Sequence, residues 1–209
     1  MIAILDYGAG NLTSVQLALS HLGADAFLAA DATSAANADR IVFPGVGSAA
    51  SGMAGVKARH FDRLLADAFE AGKPVLCVCL GMQMLLDSSE EDGFVASLGV
   101  IPGVVRKFSF ADPEVKVPHM GWNTVEHDAK HPLWRGIPSG TAFYFVHSYF
   151  ADASNASDVV GSTEYAGKQF ASVLAKRNFF ATQFHPERSG VFGMKLLKNF
   201  LDWEVSSCC

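Results

Sequence analysis

Long hydrophobic runs are missing from this 209-residue sequence, although half of its residues are hydrophobic. The longest apolar stretches fall far short of what a bilayer-spanning helix requires, so a membrane protein is not expected. Basic clusters are missing too. Sixteen Lys and Arg against 21 Asp and Glu leave a net charge of -5, which gives no electrostatic reason to expect nucleic acid or an anionic membrane as partner. Cysteine is scarce: the four lie at 77, 79, 208 and 209, spacings that fit neither a disulfide framework nor a zinc knuckle. The histidines at 21, 60, 119, 127, 131 and 147 show no metal-ligand spacing either, so no metal is expected. Cys208-Cys209 has no polybasic stretch before it and lacks the general prenylation pattern, and reads as an incidental tail. Met1 runs directly into Ile2-Ala3-Ile4-Leu5 with no basic region or small-residue cleavage site, so a secretory signal is not expected. Free thiols in a reducing cytoplasm fit this usage. With no repeat, low-complexity stretch or linker, the expectation is one domain, 1–209.

What is present is a rhythm. Ile2–Leu5 is a short apolar run ending in the turn-like Asp6-Tyr7-Gly8-Ala9-Gly10-Asn11. A helix is predicted from Leu12, with Val15, Leu17, Leu19 and Leu22 on one face and Gly23 as its stop. Strands are predicted at Ala26–Ala29, at 40–43 before Pro44, and at Pro74–Val78. One helix, Met53–Ala71, is predicted between the last two, closed by Gly72. Strands apolar on both faces that alternate with helices call for a mostly parallel central sheet flanked by helices. From Val104 to about Leu174, short β-rich runs alternate with Gly, Pro and Asn turns, as expected of added antiparallel hairpins. A late strand, Phe179–Phe184, and a helix, Gly193–Val205, close the α/β fold.

Chemistry concentrates at strand ends. Pro74-Val75-Leu76-Cys77-Val78-Cys79-Leu80-Gly81-Met82-Gln83 has the logic of a nucleophile elbow, in which a small residue two positions after the nucleophile lets neighbouring backbone come close. Cys79 has Gly81 there, whereas Cys77 has only Cys79, so Cys79 is the candidate, and the helix start beside it would favour a thiolate. Taken alone, a cysteine at the end of a buried strand is more often a small hydrophobe, which is the reading for Cys77. Gln183-Phe184-His185-Pro186-Glu187-Arg188 supplies its company. Residues two apart in extended chain face the same way, so Glu187 can fix the tautomer of His185 and leave its other nitrogen free for a thiol proton. Pro44-Gly45-Val46-Gly47-Ser48 could bring a second oxyanion donor. Two rival classes stay open. Gly8-x-Gly10 between a strand and a helix, with Asp25 or Asp31 further on, partly matches a dinucleotide fingerprint whose third position is Thr13. A non-catalytic redox regulator using Cys77 and Cys79 would leave His185-Pro186-Glu187 unexplained.

Together these residues resemble the class I (triad) glutamine amidotransferases. The finer segments Asp6-Tyr7-Gly8-Ala9-Gly10-Asn11-Leu12, Pro118-His119-Met120-Gly121-Trp122-Asn123 and Tyr144-Phe145-Val146-His147-Ser148-Tyr149 look like the glutaminase subunits of imidazole glycerol phosphate synthases. The triad motifs alone are shared with other members such as the pyridoxal phosphate synthase glutaminases. The resemblance implies a catalytic triad of Cys79, His185 and Glu187, and an oxyanion hole from Gly45, Val46 and Leu80. It implies substrate contacts from Gly47, Gln83, Ser148 and Tyr149, and a partner face including Asn11, Trp122 and Arg188. It further implies a heterodimer with a (βα)8-barrel cyclase that receives ammonia in histidine biosynthesis, and no metal or organic cofactor. One departure is that Cys77 stands where such elbows usually have glycine.

Overall fold

The computed structural model describes residues 1–8, 10 and 12–205. The chain runs β1 (Ile2–Leu5), α1 (Leu12–His21), β2 (Ala26–Ala29), α2 (Ala32–Ala35), β3 (Arg40–Gly45), α3 (Ala49–Ala58), α4 (Phe61–Ala71), β4 (Val75–Cys79) and α5 (Leu80–Gln83). It continues through β5 (Ser88–Ser89), β6 (Val95–Ala96), β7 (Gly103–Lys107), β8 (His119–Val125), β9 (Thr141–His147) and β10 (Tyr149–Ala153). The last elements are β11 (Val159–Tyr165), β12 (Lys168–Lys176), β13 (Phe179–Thr182) and α6 (Gly190–Leu201).

Strands β2, β1, β3, β4 and β13 lie side by side and parallel, in that order. Beyond β13 the sheet turns antiparallel through β12, β10 and β7, with β11 paired on β12, while β8 and β9 form a separate antiparallel ribbon. This is the α/β architecture expected, with a mostly parallel centre and antiparallel additions.

Alternation along the parallel strands divides the core between two faces. Ala3, Leu5, Ile41, Phe43, Val75 and Cys77 meet Met53, Val56, Leu64 and Leu65 of α3 and α4 on one side. Ile2, Ile4, Val42, Leu76 and Val78 meet Val15 and Leu19 of α1 and Leu196, Leu197 and Phe200 of α6 on the other. Burial on this scale, at about 25 cal/mol per Å² of apolar surface, is the main term holding the layers together.

Five expectations are corrected. Leu17 is 65 % exposed, because it lies two residues from both Val15 and Leu19 and a helix turns that position outward. The helix expected over Met53–Ala71 is two helices, broken where His60 takes a left-handed conformation (φ 58) between α3 and α4. The helix after the elbow is a single turn, so a helix dipole contributes little there. The closing helix spans Gly190–Leu201 rather than 193–205, and β13 ends at Thr182 rather than 184. Gly72 closes α4 as expected, with φ 70.

Candidate active site

The last two parallel strands, which lie mid-way across the whole sheet, deliver the reactive residues. β4 ends at Cys79 and β13 pairs beside it, so the segment leaving β13 carries His185 and Glu187 to the same edge. That is the carboxyl edge of the strands, where ligand sites of open α/β sheets gather.

Strict alternation would send Cys79 to the same face as Cys77. Instead Cys77 packs with Phe43 in one layer and Cys79 packs in the other. The backbone explains the switch: Cys79 has φ 55 and ψ -109, a conformation that non-glycine residues adopt only under constraint. Gly81 makes the bend possible, since a Cβ there would overlap the carbonyl oxygen of Phe43 on the adjacent β3. Cys77 is fully buried, and burial pushes its thiol well up from the ordinary value. Of the two described cysteines, only Cys79, which is 8 % exposed, reaches the surface.

His185 is buried, and its Nδ1 pairs with Glu187 Oε1 at 2.9 Å. Its Nε2 has no hydrogen bond of ordinary geometry to another protein group. Burial disfavours the charged ring. The neighbouring Cys79 sulfur and Glu187 outweigh that effect, and the His185 pKa is raised to about 10. The ring is thereby made a strong proton acceptor, with Glu187 orienting it on the Nδ1 side. Ser189 Oγ, donating to the His185 carbonyl oxygen at 2.6 Å and accepting from the Tyr144 amide at 3.0 Å, ties this segment to β9.

Gly45 pairs in register with Cys79, bringing the end of β3 beside the nucleophile. A Cβ on Gly45 would overlap the Tyr7 hydroxyl, which donates to the Pro44 carbonyl oxygen at 2.7 Å. Tyr7 is thus a buried prop beneath this loop, its own ionisation suppressed by burial and then by the two nearby cysteines. Val46 and Gly47 follow at the surface, Gly47 with φ 105.

A cleft of about 340 Å³ opens over the nucleophile, and Val46, Gly47, Cys79, Leu80, Gln83 and His185 line it together with Ser148 and Tyr149. The structure therefore brings the expected triad, oxyanion and substrate residues to one place, with Gly45 set just behind the lining. It adds Glu91, whose carboxylate also lines the cleft and accepts from the Ala49 amide at 2.8 Å; burial raises its pKa. No motif marks Glu91 in the sequence; only folding of the 88–96 segment against α3 reveals it. Trp122 does not line the cleft; it is 59 % exposed and packs edge-on to Tyr144, over whose ring the Arg188 guanidinium lies at 5.4 Å. Asn11 lies outside the described residues. No cluster of three or more metal-ligating side chains occurs among the described residues, nor any helix long and apolar enough to cross a membrane.

A cysteine ending one parallel strand, beside a histidine and a glutamate that follow the next, is an arrangement that fits a class I glutamine amidotransferase, and that family's model, Glutamine amidotransferase class-I, matches residues 3–203. Within that class, the chain is 47 % identical over 205 residues to the imidazole glycerol phosphate synthase subunit HisH of Acinetobacter baylyi, covering 98 % of each. It is 48 % identical over 208 residues to the subunit of the same name from Pseudomonas syringae pv. syringae, covering 97 % of each. The chain belongs to this HisH family of class I glutamine amidotransferases. The structure of PurLQS from Thermotoga maritima shares the fold, with a TM-score of 0.75 at 17 % identity over 96 % of this chain and 97 % of that one.

Proposed function

We propose that the whole chain, 1–209, acts as the glutaminase subunit of an imidazole glycerol phosphate synthase in the cytoplasm, releasing ammonia from glutamine for a (βα)8-barrel cyclase partner in histidine biosynthesis. The observation that carries this reading is the 2.9 Å His185–Glu187 pair beside a strained Cys79. Cys79 Sγ attacks the side-chain amide carbon of glutamine while its proton passes to His185 Nε2. The amides of Val46 and Leu80 face the oxyanion that forms, with Gly45 supplying the conformational freedom at that turn. The tetrahedral adduct collapses as His185 returns the proton to the departing nitrogen, leaving ammonia and a γ-glutamyl thioester. Water activated by His185 then releases glutamate and restores the thiol. Gly47, Gln83, Ser148 and Tyr149 surround the substrate's α-carbon groups, and the Glu91 carboxylate offers a counter-charge to its ammonium. Trp122, Arg188 and Asn11 belong to the face that meets the cyclase. None of these steps calls for a metal or organic cofactor.

Deletion of the gene should create a histidine requirement that wild-type and Cys77→Ala copies relieve and a Cys79→Ala copy does not. Cys79→Ala should lower glutamate release by the purified complex by three or more orders of magnitude. A requirement for pyridoxal instead of histidine would transfer the chain to the sister glutaminases, and full activity of Cys79→Ala would overturn the nucleophile.

A further inference from the structure

The Tyr149 carbonyl oxygen stands at the centre of a polar chain that the triad does not use. It accepts from His147 Nδ1 at 2.7 Å and from Gln83 Nε2 at 2.9 Å. A carbonyl can only accept, and this fixes the direction of every bond beyond it. His147 carries its proton on Nδ1, so its Nε2 is a lone pair that accepts from His119 Nδ1 at 3.0 Å. His119 Nε2 is then a lone pair in turn and accepts from Asn123 Nδ2 at 3.2 Å. On the other side, the Gln83 amide group also donates to Gln183 Oε1 at 3.1 Å. That contact turns the Gln183 amide nitrogen onto Cys79 Sγ at 3.7 Å. Six hydrogen bonds join the β8–β9 ribbon to the nucleophile, and His119, His147, Gln83 and Gln183 are all buried.

Building on the glutaminase reading above, we infer that His119 and His147 are positioning residues of the reaction, acting as two neutral imidazoles of fixed tautomer that hold the Tyr149 carbonyl so that Gln83 and Gln183 present a hydrogen-bond donor to the Cys79 sulfur. The two rings are a cross-strand pair of β8 and β9, so sheet register sets their contact. Burial lowers their pKa to about 4 for His119 and about 3 for His147; the nearby His119 and His185 add to the effect at His147, and its Tyr149 bond opposes it. Neutrality is therefore kept through the working pH range, and with it the direction of the chain. A donor aimed at sulfur favours the thiolate, so the device acts on the reactivity of Cys79 and not merely on packing.

The test is the pH profile of Cys79 alkylation by iodoacetamide in the full-length chain, read by mass spectrometry at Cys79. In His147→Phe the midpoint should rise by about one pH unit, and kcat for glutamine in the cyclase complex should fall about tenfold. His147→Asn, whose amide can still donate to the Tyr149 carbonyl, should recover most of both. An unchanged midpoint in folded His147→Phe overturns the inference, as does equal loss in the Asn and Phe variants. Should His147→Phe not fold, ¹⁵N spectra of the wild-type imidazoles decide: both rings should show the Nδ1–H form and stay neutral to pH 5, and an Nε2–H form of His147 overturns the chain. Glutamate release by the wild-type complex tests the glutaminase reading separately, since alkylation and tautomer do not depend on it.

Discussion

The proposed nucleophile, Cys79, faces the cleft because of where its backbone has been forced. A non-glycine residue at φ 55, ψ -109 costs on the order of 1–3 kcal/mol, whereas glycine tolerates positive φ freely and elsewhere costs about 0.5–1 kcal/mol relative to alanine. The usual order should therefore invert here. Among inactive variants, Cys79→Gly should melt about 2–4 °C above Cys79→Ala, which corresponds to about 1 kcal/mol in a chain of this length. Equal melting, or alanine on top, would mean the turn is unstrained. The same logic shows what was readable beforehand. Gly81 marked Cys79 over Cys77 because a steric need leaves a glycine in the sequence, whereas Glu187 reaches His185 through a single 3-10 turn, Pro186–Arg188, and not through the extended chain expected. Glu91 and the His119–His147 chain left no such mark, because their meaning depends on which strands lie side by side.

At the scale of elements, α3 is fitted against the loop that follows β1. A Cβ at Gly55 would overlap the Tyr7 carbonyl oxygen, and Tyr7 in turn props Pro44 and Gly45. Gly55→Ala should cost about 1–3 kcal/mol as an overpacking change. It should also lower glutamate release more than a surface change of equal stability cost, because the displaced Tyr7 carries the loop with it. Thermal melts combined with kcat would show this, and a loss of stability with unaltered kcat would detach Tyr7 from the site. The break between α3 and α4 was not legible, for a related reason. Apolar residues keep three- and four-residue steps on both sides of it, and His60 adopts its left-handed turn without a glycine or proline to announce it. The parallel strands were legible because burial on both faces leaves them continuously apolar, although Pro44 concealed that β3 runs on to Gly45.

For the molecule as a whole, buried histidines set the pH range of stability. His119 and His147 have folded pKa values near 4 and 3, below the ordinary 6.5, so below pH 6.5 the unfolded chain binds protons that the native chain refuses. Their contribution is present above that pH and is lost as pH falls toward 3–4, amounting to several kcal/mol at about 1.4 kcal/mol per unit. His185 has the opposite sign. With a folded pKa near 10, its contribution is complete below pH 6.5 and disappears as pH rises through 10. Urea unfolding from pH 4 to 10 should show both limbs; His147→Asn should flatten the acid one and Cys79→Ala the alkaline one, and a flat profile in the wild type would refute both assignments.

The pairing of β4 with β13 also orders events in time. The sulfur at 79 and the side chain at 183 that faces it are 104 positions apart, and the base and its carboxylate come later still. At roughly 5–20 residues per second, a ribosome completes the elbow on the order of ten seconds before it makes the histidine. On the proposed mechanism, a nascent chain thus holds a cysteine with no partner to activate it, and glutamine in the surrounding cell is safe from every unfinished copy. Ammonia release begins only when the last strand slots in beside the fourth, so completion of synthesis itself is the first safeguard on the reaction.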